Sequence, residues 1–437
     1  MRSQPLRIPP AFSRSFGPAG RGPLLWFLWG ILVLVSALAG IAAPPGADVR
    51  GVEARLGELV RDRVSQRNGC RLQMDPELCA AAREWSELVA AGVVSDGHEL
   101  LRSSLSARGI LDPFPYVFYG SAPPERFDEI ETRLRAQLLR LPEAEAKLYT
   151  HLGVGLHEHT TRRYLVRRTE WFVTVLLTQR AVSFSPLPGD PRPRERFLFE
   201  GEVYPPYREP KVLLTRPDGN TEVLENYALE PRRFRTYLCF GTQPGEYQLE
   251  VMGRYDMGPR VLGLASLWLR DDAGPSHYDV LLAAARHGTL QPTPPRPSFD
   301  PPRDERQAEE QLLALLNRDR NRAGAGALQE LPELSRVARS HSTEMRDRGY
   351  FAHVSPRTGR LVDRAEDAGI AYRRIGENIA VGGSVEEAQE ALMRSPGHRM
   401  NLLDPEFSHV GVGVAFDVDS QGRRRVFVTE NFLVPPP

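Results

Sequence analysis

Three short stretches toward the C-terminal end of the chain carry side chains that could act together. Tyr350-Phe351-Ala352-His353 supplies an imidazole, Gly376-Glu377-Asn378-Ile379-Ala380 a carboxylate and a carboxamide, and Ser395-Pro396-Gly397-His398 a hydroxyl and a second imidazole. Two imidazoles and a carboxylate are a donor set for a divalent transition metal, and they would equally polarise a water beside a polar ligand. Glu377 and Asn378 follow Ile375-Gly376, which reads as a bend, and Ser-Pro-Gly before His398 reads as a turn that presents the imidazole outward. Other histidines have plainer readings. His341 and Ser342 share a helical turn with Glu344 and Met345, and His409 precedes a Gly-Val-Gly strand, so packing accounts for both. His157-Glu158-His159 puts two imidazoles on one face of a strand, but no third ligand accompanies them.

The elements that must position the three stretches are legible in the hydrophobic pattern. Residues 305–323 carry Leu312, Leu313, Leu315 and Leu316 at helical spacing, a second helix is predicted over 333–348, and apolar runs at 410–416 and 425–434 read as strands flanking Gln421-Gly422. The last run contains a fourth block, Phe427-Val428-Thr429-Glu430-Asn431-Phe432. In this order the four blocks resemble the CAP superfamily: cysteine-rich secretory proteins, antigen 5, plant pathogenesis-related proteins and many bacterial extracytoplasmic relatives. The resemblance covers about 304–434 and implies an α-β-α sandwich with His353, Glu377, Asn378, Ser395 and His398 at one cleft. It also implies a cleft of two His and two Glu that binds zinc in some members, the second Glu lying three residues after a Trp. Here Leu392 and Ser395 stand at those two places. The resemblance therefore leaves His353 and His398 as ligands of a weak zinc site rather than a tight one.

Upstream, residues 51–180 read as a degenerate CAP-like copy. Leu72-Gln73 with Pro76-Glu77-Leu78 matches Leu328-Gln329 with Pro332-Glu333-Leu334, and His151-Leu152-Gly153-Val154-Gly155 matches His409-Val410-Gly411-Val412-Gly413. Ala107-Arg108-Gly109-Ile110 and Phe172-Val173-Thr174 have counterparts in Asp367-Ala368-Gly369-Ile370 and Phe427-Val428-Thr429. Where Glu377 and Asn378 would fall, the first copy has the apolar run Tyr116-Val117-Phe118-Tyr119, so it reads as a scaffold. Residues 182–270 hold short strand-like runs with turns at Pro217-Asp218-Gly219-Asn220 and Gln243-Pro244-Gly245-Glu246, a small β-sandwich of immunoglobulin-like type without binding chemistry of its own. Residues 271–303 read as a short helix and a stiff Pro-rich linker. The expected fold class is thus α+β multidomain, with a C-terminal CAP α-β-α sandwich, a degenerate copy on the N-terminal side and a β-sandwich between them.

The chain of 437 residues has Lys+Arg 56 against Asp+Glu 56, which gives no electrostatic case for a nucleic-acid partner. Residues 1–21 carry Arg2, Arg7, Arg14 and Arg21, and 22–43 are uncharged and apolar around Leu24-Leu25-Trp26-Phe27-Leu28-Trp29. A basic flank before such a run directs export, either as a cleaved signal peptide or as a transmembrane anchor that joins the protein to the membrane. In an exported chain Cys70 and Cys79, flanking a short loop, are expected to form a disulfide, while Cys239 in an apolar run reads as a buried free thiol. Three functions fit an extracytoplasmic protein of this kind. The preferred one is a non-catalytic module whose cleft binds a small ligand, an envelope component or a metal. The others are a His/Glu- or metal-dependent hydrolase, which lacks an evident nucleophile, and a structural or adhesive envelope protein.

Overall fold

The computed structural model describes residues 49–437 apart from 69–71, 93–97, 114, 142–145, 164–165, 189–190, 271–273, 288–301 and 419–423. The basic segment 1–21, the apolar segment 22–43, most of the Pro-rich linker and Cys70 lie outside the described residues. The fold is mixed α+β with several sheets, and the described residues pack as one compact unit. Among them, no helix is long and apolar enough to cross a membrane.

The N-terminal part runs α1 (Val49–Asn68), β1 (Gln73–Met74), α2 (Pro76–Ala90), α3 (His98–Ala107), β2 (Tyr116–Ala122), α4 (Phe127–Arg140), β3 (His151–Arg163) and β4 (Val166–Thr178). The β3–β4 hairpin forms the centre of a sheet ordered β1-β3-β4-β2. Among the described residues the middle part has seven strands: β5 (Val182–Phe184), β6 (Arg196–Val203), β7 (Arg208–Thr215), β8 (Thr221–Leu224), β9 (Arg233–Cys239), β10 (Gly245–Tyr255) and β11 (Gly258–Leu269). They form two antiparallel sheets, β5-β6-β9 and β11-β10-β7-β8, around one core that includes Phe199, Phe234, Leu238, Tyr247 and Leu249. Cys239 ends β9 exposed, not buried: it falls on the outward phase of a strand whose Phe234, Thr236 and Leu238 point inward.

Past α5 (His277–Arg286), the C-terminal part runs α6 (Glu305–Arg322), β12 (Gln329–Glu330), α7 (Pro332–Arg348), α8 (Leu361–Asp367), β13 (Arg374–Gly382), α9 (Val385–Arg394), α10 (Pro396–Leu403), β14 (His409–Val418) and β15 (Arg424–Val434). Asp304 caps α6 by accepting the Gln307 N–H at 2.8 Å, and Gly349 ends α7 in the left-handed conformation, φ 64°. The sheet order is β12-β14-β15-β13. Helices cover both faces: α6, α9 and α10 pack Leu312, Leu392 and Leu402 against Val412, Val428 and Phe432, and α7 packs Met345 against Ala415 and Phe427. Two expected turns are absent. Glu377 and Asn378 lie within β13, paired with Asn431 and Glu430, and Ser-Pro-Gly opens helix α10 with Pro396 at its first position, where the missing N–H costs nothing.

The first and last sheets share their order and polarity, with one parallel pair each, Gln73↔His151 and Gln329↔His409. They also share their inner bonds. Ser86 bonds the Gly155 carbonyl and Thr174 at 3.0 and 2.8 Å, and Ser342 bonds the Gly413 carbonyl and Thr429 at the same two distances. A Glu on the preceding helix, Glu53 or Glu309, holds Arg83 or Arg339 and accepts a strand N–H, from Leu156 or Val414. The glycines make this approach possible. A Cβ on Gly413 would lie 2.1 Å from the Arg339 nitrogen, and one on Gly155 2.1 Å from the Arg83 nitrogen. Because the obstacle is helix backbone, Gly413→Ala is expected to cost at least about 2 kcal/mol in urea unfolding. A change within about 0.5 kcal/mol, the range of a neutral surface substitution, would mean that α7 slides freely over the sheet.

Candidate ligand cleft

His353 lies in the loop after α7, which Ser355 braces by donating to Glu344 at 2.8 Å and accepting the Arg357 and Thr358 N–H groups. His353 Nδ1 meets Glu377 Oε1 at 3.0 Å, and Arg364 from α8 reaches Glu377 Oε2 at 2.5 Å. The Arg364 and Glu377 side chains are each 5% exposed, so both carboxylate oxygens are committed to a closed ion-paired group. Burial alone would raise the Glu377 carboxyl, but the His353 hydrogen bond and the Arg364 charge outweigh it and hold the group below its usual value. His341 has the packing role its helix position implies: it is buried, its Nε2 faces the Ala352 carbonyl at 3.0 Å, and burial takes its pKa down to about 4.

On the other side, His398 Nδ1 lies 2.7 Å from Ser395 Oγ. Burial, with His353 close enough to add its charge, drives the His398 pKa to about 3, so this ring is neutral at physiological pH. Asn378 does not face the cleft. It is fully buried, donates to the His398 carbonyl at 3.1 Å and accepts from Asn401 at 3.0 Å, and so ties β13 to α10.

The cavity between these groups, about 100 Å³, is lined by His353, Ser395 and His398 together with Phe351, Ile379 and Leu392. Glu377 and Asn378 stand behind that lining. The opposite wall comes from the middle part, through Met252, Tyr255 and Val261. The β10–β11 turn reaches over the cleft: Val354 N–H donates to the Met257 carbonyl at 3.1 Å, and a Cβ on Gly258 would lie 2.9 Å from the His353 Cβ. Arg399 Nε donates to the Gly219 carbonyl at 3.2 Å. The residue that sequence reasoning missed is Glu250 of β10, which has no exposed surface and bonds Ser395 Oγ at 2.5 Å and Gly397 N–H at 3.1 Å. Its sequence signal was slight, an acid on the outward phase of a strand beside Gln248 and Met252. Of the remaining expected sites, Cys79 carries a free, buried thiol next to Met74 at 3.5 Å, and its expected partner Cys70 is outside the described residues. His157 and His159 have ring centroids 6.3 Å apart, while Glu158 accepts from Trp171.

The donor set does not fit zinc well. Both Nδ1 atoms and both Glu377 oxygens are engaged, which leaves one nitrogen on each of two imidazoles, whereas zinc sites take three or four protein ligands. Among the described residues, no group of three His, Cys, Asp or Glu is placed to hold a metal.

A sheet covered by helices on both faces, with a His-lined cleft beside its edge strand, defines the class. Residues 313–432 match the family model described as Cysteine-rich secretory protein family, and this part of the chain is a CAP domain. Two relatives from Bacillus subtilis (strain 168) align with this chain. One, "Uncharacterized protein YkwD", is 43% identical over 106 residues, 24% of this chain and 41% of the relative. The other, "Uncharacterized membrane protein YlbC", is 36% identical over 129 residues, 29% of this chain and 34% of the relative, so the chain spans well under half of either. Among solved structures, an extracellular SCP-domain protein from Bacillus anthracis str. Ames is 20% identical with TM-score 0.27, covering 54% of this chain and 77% of that one. A cysteine-rich secretory protein from Staphylococcus aureus subsp. aureus Mu50 is 14% identical with TM-score 0.26, covering 64% and 83%.

Behind the cleft, Glu430 on β15 has no exposed surface, and burial lifts its pKa to about 8 against an ordinary 4.5. The folded group keeps a proton that the unfolded one loses, so its contribution to stability is complete below pH 4.5 and is lost as pH rises through about 8. Glu430→Gln, which mimics the protonated acid, is expected to gain stability relative to the wild type between about pH 5 and about pH 8 in urea unfolding. An unchanged difference at the two pH values would mean that Glu430 is ionised in the fold.

Proposed function

We propose that this is an exported cell-envelope protein whose CAP cleft holds a small, mainly apolar ligand without transforming it. The observation that carries the reading is the cavity itself, a mainly apolar chamber into which His353, Ser395 and His398 bring polar groups and whose lining also includes Arg102, Arg260 and Arg394, the usual character of a ligand site. Catalysis is disfavoured by the bonding order. In the line from Glu250 through Ser395 to His398, the hydroxyl stands in the middle and its proton goes to the carboxylate, whereas nucleophilic catalysis needs the imidazole between acid and hydroxyl. A cavity of about 100 Å³ is smaller than the engineered chamber of about 150 Å³ that admits benzene, and so suits a molecule of only a few heavy atoms. Export rests on Arg2, Arg7, Arg14 and Arg21 before the uncharged run 22–43.

The same proposal assigns 51–180 as a degenerate copy of the CAP domain and 182–270 as an immunoglobulin-like sandwich. The copy is supported by the shared strand order and inner bonds. In the two registers Glu377, Asn378, Glu430 and Asn431 correspond to Val117, Phe118, Val175 and Leu176, so the copy keeps the frame and loses every polar group behind the cleft.

With 1-butanol as probe, titration of the exported part followed by NMR should move the His353 and His398 ring signals and leave His151 and His409 in place. Ser395→Ala should leave hydrolysis of p-nitrophenyl acetate at the buffer rate. Silent cleft histidines, or hydrolysis that depends on Ser395, would overturn the reading.

One observation favours zinc: Glu377 holds His353 Nδ1 as a carboxylate does behind a ligating imidazole. With only two nitrogens to offer, calorimetric titration should give micromolar or weaker binding that His398→Ala abolishes. Nanomolar binding would make the metal the resident occupant.

A further inference from the structure

We infer that Glu250, carried by the middle part of the chain, is a positioning residue of the CAP cleft: through Ser395 it fixes the His398 tautomer whose Nε2 is unprotonated, so that the cavity selects a ligand that donates a hydrogen bond. The ligand half of this inference rests on the cleft reading above, and the tautomer half stands on the bonding geometry.

Glu250 sits on the outer face of its own sheet, where an acid is ordinarily solvated. Here α10 covers it completely. A buried carboxylate is tolerated only when both oxygens are bonded. Oε1 accepts the Gly397 N–H at 3.1 Å and Oε2 accepts the Ser395 hydroxyl at 2.5 Å. The close approach requires Gly397, since a Cβ there would lie 2.7 Å from Oε1. A serine hydroxyl has one proton to give. Once that proton points to Glu250, Ser395 Oγ has only lone pairs left for its neighbour 2.7 Å away, so His398 Nδ1 must carry the proton and donate. His398 is neutral, which leaves Nε2 as an acceptor on a residue that lines the cavity. A hydroxyl or amide N–H of a ligand satisfies it, and a carbonyl or ether oxygen does not.

The backbone N–H of Gly397 makes this testable. In Glu250→Gln the amide oxygen must face that N–H, which turns the amide NH2 toward Ser395. Ser395 then accepts from that amide and points its own O–H at His398 Nδ1 as a donor, which requires Nδ1 to be bare and places the ring proton on Nε2. The experiment is the nitrogen-15 spectrum of the His398 ring in the exported part, recorded well above pH 7 so that Glu250, whose pKa burial raises to about 7, is ionised. The expected result is a protonated Nδ1 and bare Nε2 in the wild type, exchanged in Glu250→Gln. Acetone, which only accepts, should then shift the ring in the variant and not in the wild type, while 1-butanol shifts both. The same tautomer in both proteins would overturn the inference. If Glu250→Gln fails to fold, Ser395→Ala replaces it. That variant breaks the line and keeps the Gly397 bond, so it should give a mixture of tautomers, and a pure Nδ1-protonated ring would overturn the inference equally. An exchanged tautomer with no response to 1-butanol in either protein would overturn the ligand half together with the cleft reading.

Discussion

Helix α7 rests on β14 with no side chain between them at Gly411 and Gly413, and most of the cleft follows from that contact. At this separation a Cβ on Gly413 would collide with the Ala338 and Arg339 backbone, and Ser342 comes within hydrogen-bonding range of the Gly413 carbonyl and Thr429. The helix is thereby fixed in height and in rotation. Gly349 stops it in the left-handed conformation, and the chain turns back so that His353 meets Glu377 on the edge strand. A helix raised by the width of one methyl group would carry that loop with it, and a 3.0 Å hydrogen bond does not survive such a shift.

Three buried carboxylates around the cleft are handled in three ways, and the differences follow from what faces each. Glu377 has a guanidinium and an imidazole and stays charged. Removing either partner of such a pair costs about 3–5 kcal/mol, because the other charge is left stranded. Glu430 has only the Asn378 amide, 3.4 Å away, and the favourable course is to keep its proton. Glu250 lies between these cases, with two hydrogen bonds and no cation, and its pKa settles near 7. Paired charge, neutral acid and poised acid thus occur within one small domain and its covering wall, set by hydrogen-bond donors and nearby charge.

Much of the frame was legible in the sequence because it is built from local signals. Gly-Val-Gly at 153–155 and 411–413, each after a histidine, marked the two central strands, and the apolar spacing of Leu312, Leu315 and Leu316 marked α6. The misreadings were local ones too. Ser-Pro-Gly suits a turn or a helix start equally well, and only the apolar residues beyond it, Leu402 above all, draw the segment into a helix. The resemblance placed Asn378 in the cleft beside Glu377, but its side chain is buried and spent on the His398 carbonyl and Asn401, partners that only the packing of α10 against β13 brings to it. Glu250 was beyond reach for a similar reason. Its role depends on α10 arriving from well over a hundred residues away, and no periodicity in β10 carries that information.

The middle part therefore does more than separate two similar frames. If it were a spacer, its contacts with the CAP domain would be exposed and polar, and Glu250 would be solvated. Instead the Met257 carbonyl in the β10–β11 turn accepts the Val354 N–H next to His353, the Gly219 carbonyl accepts from Arg399, and a carboxylate is driven into the first turn of α10. The first and last of these contacts adjoin His353 and Ser395 of the cavity lining, which the middle part completes with Met252, Tyr255 and Val261. Were this wall to retreat, Glu250 would leave Ser395, which it helps to bury beside His398. The covering of the cavity and the hydrogen-bond line to His398 consequently depend on the same few bonds.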